Sequence, residues 1–504
     1  MGVFSYVRCN FLLVFYGILL TCPTVCFAVT EVDVLILGAG ISGITAGSYL
    51  QSNGQTNFLI LEAQDYVGGR VKQVKIGGLT VGDGANWVHY VEDGDENPIL
   101  VIANKINLTR YSTNISDFTL RNSIHQNKEL GKAYKTVEKL GMKLTEQNEN
   151  NAQLSGDEPL SSVFAQHGWM PDTALKRTAE WWYFDYEYAV KPALSSFRHF
   201  GGIPMENEYI TDNRGFKGII DYLSQNITGK FKTEKVVTHI KLNTSNGIEV
   251  RTRDGETFKA KYALCTFSTG VLASDLVTFE PELPKWKKVA ISRLPLAYYT
   301  NIYVKFPSAF WDDTEFILNA GSLTETFPLV YNLNIKDFHR GSNVLLFSAV
   351  DENSLRIEAQ SKNATKAEVM KSLREMYPNV NIPEPLEMTV GSFSQNPYIR
   401  GSFSNAAVGA TSADFNNLQG RLGNLFFSGE ATSENYWGYS QAGYSTSLKQ
   451  AKVIHSCLNG GECPAYEPEI ASICESKNIV PSSASIGLYS PACFILIILF
   501  MLFN

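Results

Sequence analysis

Residues 32–43 read Val32-Asp33-Val34-Leu35-Ile36-Leu37-Gly38-Ala39-Gly40-Ile41-Ser42-Gly43, and the fold turns on them. The first six, apolar except for Asp33, predict a strand buried on both faces, as a parallel sheet requires. The glycines that follow permit a tight turn and a close approach of backbone to a pyrophosphate. A helical pattern then runs to about Leu50, with its N-terminus aimed where that anion would lie. A second strand, 57–61, ends in Glu62, nineteen residues after Gly43 and placed to accept hydrogen bonds from a ribose hydroxyl. Strand, glycines, helix, strand and acid in this order predict an α/β chain that opens with a Rossmann-like dinucleotide-binding unit.

The chain has 504 residues, too many for one ordinary domain, so two domains sharing a large core are expected. Apolar residues make up 44% and charged residues 18%, which excludes disorder and coiled coil. A net charge of −7 argues against nucleic acid as a partner and suits a cationic small molecule. No metal site is expected. Aromatic residues at 12% leave room for an aromatic-lined pocket.

Both ends read as processing signals. Residues 1–28 hold Arg8, an apolar run from Phe11 to Leu20, and Cys26-Phe27-Ala28, the pattern of a secretory signal peptide. Five N-x-[ST] sequences, at Asn107, Asn114, Asn226, Asn243 and Asn363, agree with export and glycosylation. Cys457 and Cys463 flank Gly460-Gly461 at a spacing that suits a small disulfide loop, with Cys474 as a competing partner. Cys265 lies in an apolar run and is expected to be a buried thiol. At the other end, an apolar run over 492–503 follows the small-residue cluster Ser482-Ser483-Ala484-Ser485. That order predicts a glycosylphosphatidylinositol signal over 486–504, with a short tail-anchoring helix as the alternative. The expected location is therefore secreted, on the extracellular face of the plasma membrane, held by a lipid anchor.

Past Glu62 come Gly68-Gly69-Arg70 and Asp83-Gly84-Ala85-Asn86-Trp87; far downstream come Ser428-Gly429-Glu430-Ala431-Thr432 and Gly438-Tyr439-Ser440-Gln441-Ala442-Gly443. Together these motifs resemble the flavin amine oxidase superfamily, and within it the polyamine oxidases, nearest the secreted plant enzymes. The resemblance spans roughly residues 30–460. It implies a Rossmann-like FAD-binding domain in three segments, 29–95, 215–295 and 395–460, and an α+β substrate-binding domain over 96–214 and 296–394. Residues 461–485 would then form a C-terminal extension.

The resemblance also implies roles for individual residues. Gly38, Gly40, Gly43, Glu62, Arg70, Val88, His89, Val237, Phe393, Glu430, Tyr439 and Ser440 would hold FAD. A helix from Ser440 would turn its positive end toward the flavin. The covalent-flavin cysteine of monoamine oxidases would fall at Ser402, so the FAD is expected to be non-covalent. In Trp181-Trp182-Tyr183-Phe184-Asp185-Tyr186-Glu187-Tyr188, aromatic faces and a carboxylate suit an ammonium and its methylene chain. By resemblance Glu187 binds the amine, and Trp87, Tyr188, Phe403 and Tyr439 line the substrate path. The same stretch would also suit a core helix with solvated acids. Catalytic positions fall at His89, Glu187, Tyr299 and Asn301.

Two of these depart from the plant enzymes. His89 stands where they carry Glu, although animal spermine and acetylpolyamine oxidases carry His there. Asn301 stands where the family carries a Lys that a water bridges to flavin N5. Lys305 is on the same strand face but roughly 13 Å away, too far to substitute. The expected activity is oxidation of spermine- and spermidine-like polyamines at a secondary amine, with oxygen as the final acceptor. An oxidase of another amine or amino acid is the alternative enzyme. Asn301 also keeps open a polyamine- or flavin-binding surface protein with little turnover.

Overall fold

A computed structural model describes residues 29–150, 156–201, 203–204, 206–243, 247–322 and 324–469, and the short strand pair Val14–Phe15 and Ile18–Leu19. The rest of the expected leader, the expected lipid-anchor signal, Cys474 and Cys493 lie outside the described residues.

The opening strand, Thr30–Leu37, begins two residues before the apolar run and is fully buried from Val34 onward. It pairs in parallel with Phe58–Leu61 on one side and Thr257–Cys265 on the other. That third strand is long enough to serve two partners on its far edge. Its first half pairs antiparallel with Gly247–Thr252, and its end pairs in parallel with Leu425–Phe427. Three distant stretches of chain thus meet at one sheet edge, with Leu37, Cys265 and Phe427 level with one another. Helices Ile41–Ser52 and Ser440–Leu458 pack together, joined by Ile44, Leu50, Ala451 and Ile454 in one core cluster.

A second sheet of six strands follows the order 387–390, 299–305, 344–350, 329–332, 316–319 and 118–121. All its pairs are antiparallel except the last. Period-two alternation decides what each face does. Ile302, Val304, Leu345 and Phe347 pack with Val369 and Leu373 of helix Lys362–Met376. Tyr303 and Leu346 face the other way, into a cluster with Trp182, Phe184 and Tyr331. Tyr299, Asn301 and Tyr303 therefore share the inner face. A three-stranded sheet, with Asn207–Ile210 between Trp87–His89 and Arg110–Ser112, completes the frame.

Candidate active site

A cavity of about 1220 Å³ runs from the glycine turn of the first sheet to the inner face of the second. Its first part is a backbone cradle. A Cβ at Gly43 would fall 2.0 Å from the Gly38 carbonyl oxygen, so helix and strand can meet this closely only through glycine. A Cβ at Gly40 would meet nothing within 4 Å, which leaves the turn open to the cavity. Helices Ile41–Ser52 and Ser440–Leu458 both start at the cavity without a side-chain cap or an acid in the first turn. Their free N–H groups and positive dipole ends converge on one space, an arrangement that favours an anion. Glu62 is buried and held by N–H donors of Ala39 and Gln64 at 2.8 and 2.9 Å. Burial pushes its carboxyl above the ordinary range, opposed by those donors.

Arg70 donates to Glu430 at 2.7 Å and to the Ser402 carbonyl at 3.1 Å. Glu430 also accepts from the N–H of Gly438 at 2.8 Å and from the N–H and hydroxyl of Ser404. One buried carboxylate thereby ties together the Gly-Gly-Arg turn, the strand Phe403–Ser404 and the start of the last long helix. Ser402 is locked on the backbone of Tyr299, accepting from its N–H and donating to its carbonyl. Phe393 is buried against Gly84, and Val237 lines the same part of the cavity. Val88 does not line it. The neighbours Trp87 and His89 do, so strand alternation sends the Val88 side chain into the core with Ile99 and Ile210. Only its backbone is left to meet a cofactor.

The far part of the cavity is aromatic and carries the carboxylate of Glu187 among its rings, with Glu138 and Glu146 also on the lining. Glu187 accepts from the Tyr439 hydroxyl at 2.6 Å and lies 3.8 Å from His89 Nδ1. Tyr439 packs edge-on to both His89 and Tyr90, at 5.1 and 5.0 Å between ring centres. Burial holds its phenol well above the usual range, so it stays a neutral donor. Phe403 lies against Gly438, and Tyr299 bridges Phe403 and Tyr186 at 6.3 and 5.9 Å. Tyr188 stacks on Phe184 and meets Trp437. The acids of the aromatic stretch divide their work. Asp185 is buried and paired with Arg177, whereas Glu187 faces the cavity. The backbone between Trp181 and Asp185 is a π-helical turn, which rotates Tyr186-Glu187-Tyr188 relative to the preceding helix.

Asn301 is 3% exposed. Its Nδ2 donates to the carbonyls of Asp83 and Gly84 at 3.2 and 3.4 Å, which fixes the amide orientation and turns Oδ1 away from them. Oδ1 has no partner among the described residues. Nearby cations are committed elsewhere: Lys72 to Asp83 at 3.2 Å, and Lys305 to the Ser342 carbonyl at 2.8 Å. The cavity wall at Asn301 thus offers a buried acceptor where an ammonium would be a donor.

Asn207, absent from the sequence expectations, is the partner of His89. Its Oδ1 lies 2.8 Å from His89 Nδ1, while its Nδ2 donates to the Pro204 carbonyl at 3.4 Å. With Asn207 Oδ1 as the acceptor, a neutral His89 ring carries its proton on Nδ1 and has Nε2 as its acceptor. Asn86 is a second addition. It binds Gly82, Gly84 and the Tyr303 hydroxyl, and so pins the turn that receives Asn301. The cavity reaches solvent beside Ile115 and beside Met142, which both line it and are 44% and 58% exposed. Outside the site, Cys457 and Cys463 form a disulfide, whereas Cys265, a buried free thiol, is on the cavity lining.

Comparison with known proteins agrees with this geometry. The chain is 32% identical over 469 residues to polyamine oxidase 1 of Zea mays, covering 85% of this chain and 91% of that protein. It is 34% identical over 444 residues to polyamine oxidase 7 of Oryza sativa subsp. japonica, covering 82% and 92%. Wild-type putrescine oxidase solved with putrescine shares the fold, with a TM-score of 0.66 at 16% identity over 85% of this chain and all of that one. The description flavin containing amine oxidoreductase matches residues 41–455, and the chain belongs to that family.

Proposed function

We infer that the protein is an FAD-dependent polyamine oxidase with non-covalent FAD. The observation that carries the substrate class is Glu187, a carboxylate inside an aromatic cage that opens onto the dinucleotide cradle. The cradle fits FAD: an open glycine turn, two uncapped helix starts for negative charge, and Glu62 for a ribose. Among the described residues the one free cysteine is Cys265, whose thiol burial pushes up to about 12. That thiol is a poor candidate for a covalent flavin link.

The overall reaction takes a secondary amine, oxygen and water to an aldehyde, a primary amine and hydrogen peroxide. When bound, the flavin supplies the two-electron acceptor for the carbon–nitrogen bond and the route to oxygen. The protein's part is binding, orientation and proton control. Glu187 attracts one ammonium of the polyamine. The rings of Tyr439, Phe403 and Tyr299 hold the methylenes beside it and exclude water. An amine must be neutral before it can be oxidised, and in this reading His89, through Nε2 of its neutral ring, takes that proton. Tyr439 donates to Glu187 and fixes its direction.

Export, glycosylation and the lipid anchor belong to the same proposal. They are supported by the leader pattern, by exposed Asn107, Asn114, Asn226 and Asn363, and by the Cys457–Cys463 disulfide. No helix among the described residues is long and apolar enough to cross a membrane. Phosphatidylinositol-specific phospholipase C should release the protein from cells; recovery of a peptide containing Cys493 from the surface protein would refute the anchor. The activity itself is tested by incubating purified protein with spermine, spermidine and their acetylated forms. An aldehyde, a shorter amine and peroxide in equal amounts are expected. Turnover of monoamines or amino acids alone would give the reading to another oxidase.

The orphan acceptor at Asn301 favours a second reading, a polyamine-binding protein with little turnover. Tight spermine binding without any aldehyde would establish it.

A further inference from the structure

We propose that Asn114 carries an N-linked glycan on the lip of the substrate entrance, and that this glycan favours slender linear amines over bulky N-substituted ones. The proposal rests on the secreted, polyamine-oxidising reading above. Asn114-Ile115-Ser116 has the N-x-S pattern and lies between strands Arg110–Ser112 and Phe118–Arg121. Thr113 and Ile115 both line the cavity, while Asn114 between them is exposed to solvent. Ile115 lines the cavity and is itself 44% exposed, which marks this place as an opening. Asn114 therefore stands in the rim.

The asparagine is held there with its reactive atom free. Its Oδ1 accepts from the Ser116 N–H at 3.1 Å and the Ser116 hydroxyl at 2.6 Å. Its Nδ2, the atom that bears the sugar, has no hydrogen-bond partner among the described residues. The Asn114 N–H donates to Glu315 at 2.9 Å, and Glu315 is fully buried, so the base of a glycan would be fixed to the protein interior. An N-linked glycan is bulky and hydrophilic. A polyamine is a string of methylenes and nitrogens that can pass beside it; an amine bearing a large acyl or aromatic group meets its excluded volume. Asn107, Asn226 and Asn363 are also exposed, but none of their chain neighbours lines the cavity. They serve as internal controls.

The test uses protein secreted from eukaryotic cells. Peptide masses before and after peptide N-glycosidase give occupancy at each site. Rates are then compared for spermine and for a dansylated spermine, with native protein, Asn114→Gln protein, and native protein trimmed by an endoglycosidase without any mutation. The proposal expects Asn114 to be occupied. Removal of its glycan by either route should raise kcat/KM for the dansylated amine severalfold and leave spermine and the flavin absorbance unchanged. It is overturned if Asn114 is bare while the control sites are occupied, or if both amines respond alike. Bare sites throughout would instead remove the secreted reading, and no turnover of spermine by any form would remove the functional one; either result takes this proposal with it.

Discussion

Asn301 has its polarity set by its contacts. Two carbonyls take its amide hydrogens, and the oxygen left over is a buried acceptor with no capacity for acid–base work. A lysine there would return a positive charge that can order water and share a proton. Asn301→Lys is expected to raise polyamine turnover by at least about tenfold, roughly 1.4 kcal/mol off the barrier. Stopped-flow mixing under argon, then with oxygen, shows which half of the cycle gains; equal rates for both proteins would make the lysine dispensable here. Glu187→Gln removes the charge at nearly constant volume and should weaken polyamine binding by about 1–3 kcal/mol. Unchanged KM and kcat for spermine would return Glu187 to a structural role. At this scale the site was partly legible. Glu187 and Tyr439 stood in motifs, and the structure joins them at 2.6 Å. Asn207 had no such signal. It meets His89 only because strand pairing sets the two residues opposite each other across 118 positions of chain.

Among the elements, local signals carried the first sheet furthest. An apolar run followed by glycines left the backbone few choices, and the strand and helix lie within about two residues of the expected places. The division of the strand Thr257–Cys265 between two partners had no local cause that could be read. It depends on Leu425–Phe427 arriving from far downstream. The π-helical turn at Trp181–Asp185 was equally hidden; it coincides with an ion cluster of Arg177 with Glu180 and Asp185 that no short-range pattern announces. The strand Phe316–Asn319 begins beside another buried acid. Glu315 accepts from Tyr331, Tyr111 and the Asn114 N–H, yet burial pushes its carboxyl from an ordinary 4.5 to about 7. A raised folded-state value makes Glu315 stabilising below about pH 4.5, with that contribution lost as pH rises through 7. The loss is on the order of 3 kcal/mol. Melting temperatures across pH 4.5–7.5 should therefore fall less steeply for Glu315→Gln than for the wild type. Parallel curves would show that Glu315 is already ionised in the folded protein at low pH.

For the whole molecule, the arrangement joins two requirements in one cavity: a cradle for a dinucleotide and a cage for a cationic chain. Neither sheet holds both. The glycine turn and the uncapped helix starts belong to the first sheet and its helices, while Asn301 and Tyr299 come from the inner face of the second. Glu430 and Arg70 tie segments 360 residues apart across the space between. The net charge of −7 adds a field that draws polycations toward the protein and weakens with salt. The central claim is that a polyamine bound at Glu187 gives its electrons to FAD held in the cradle. The direct test is anaerobic titration of the purified yellow protein with spermine, following visible absorbance. The account predicts stoichiometric bleaching, and colour restored by oxygen with release of hydrogen peroxide. Bound FAD that stays oxidised at saturating spermine would contradict it.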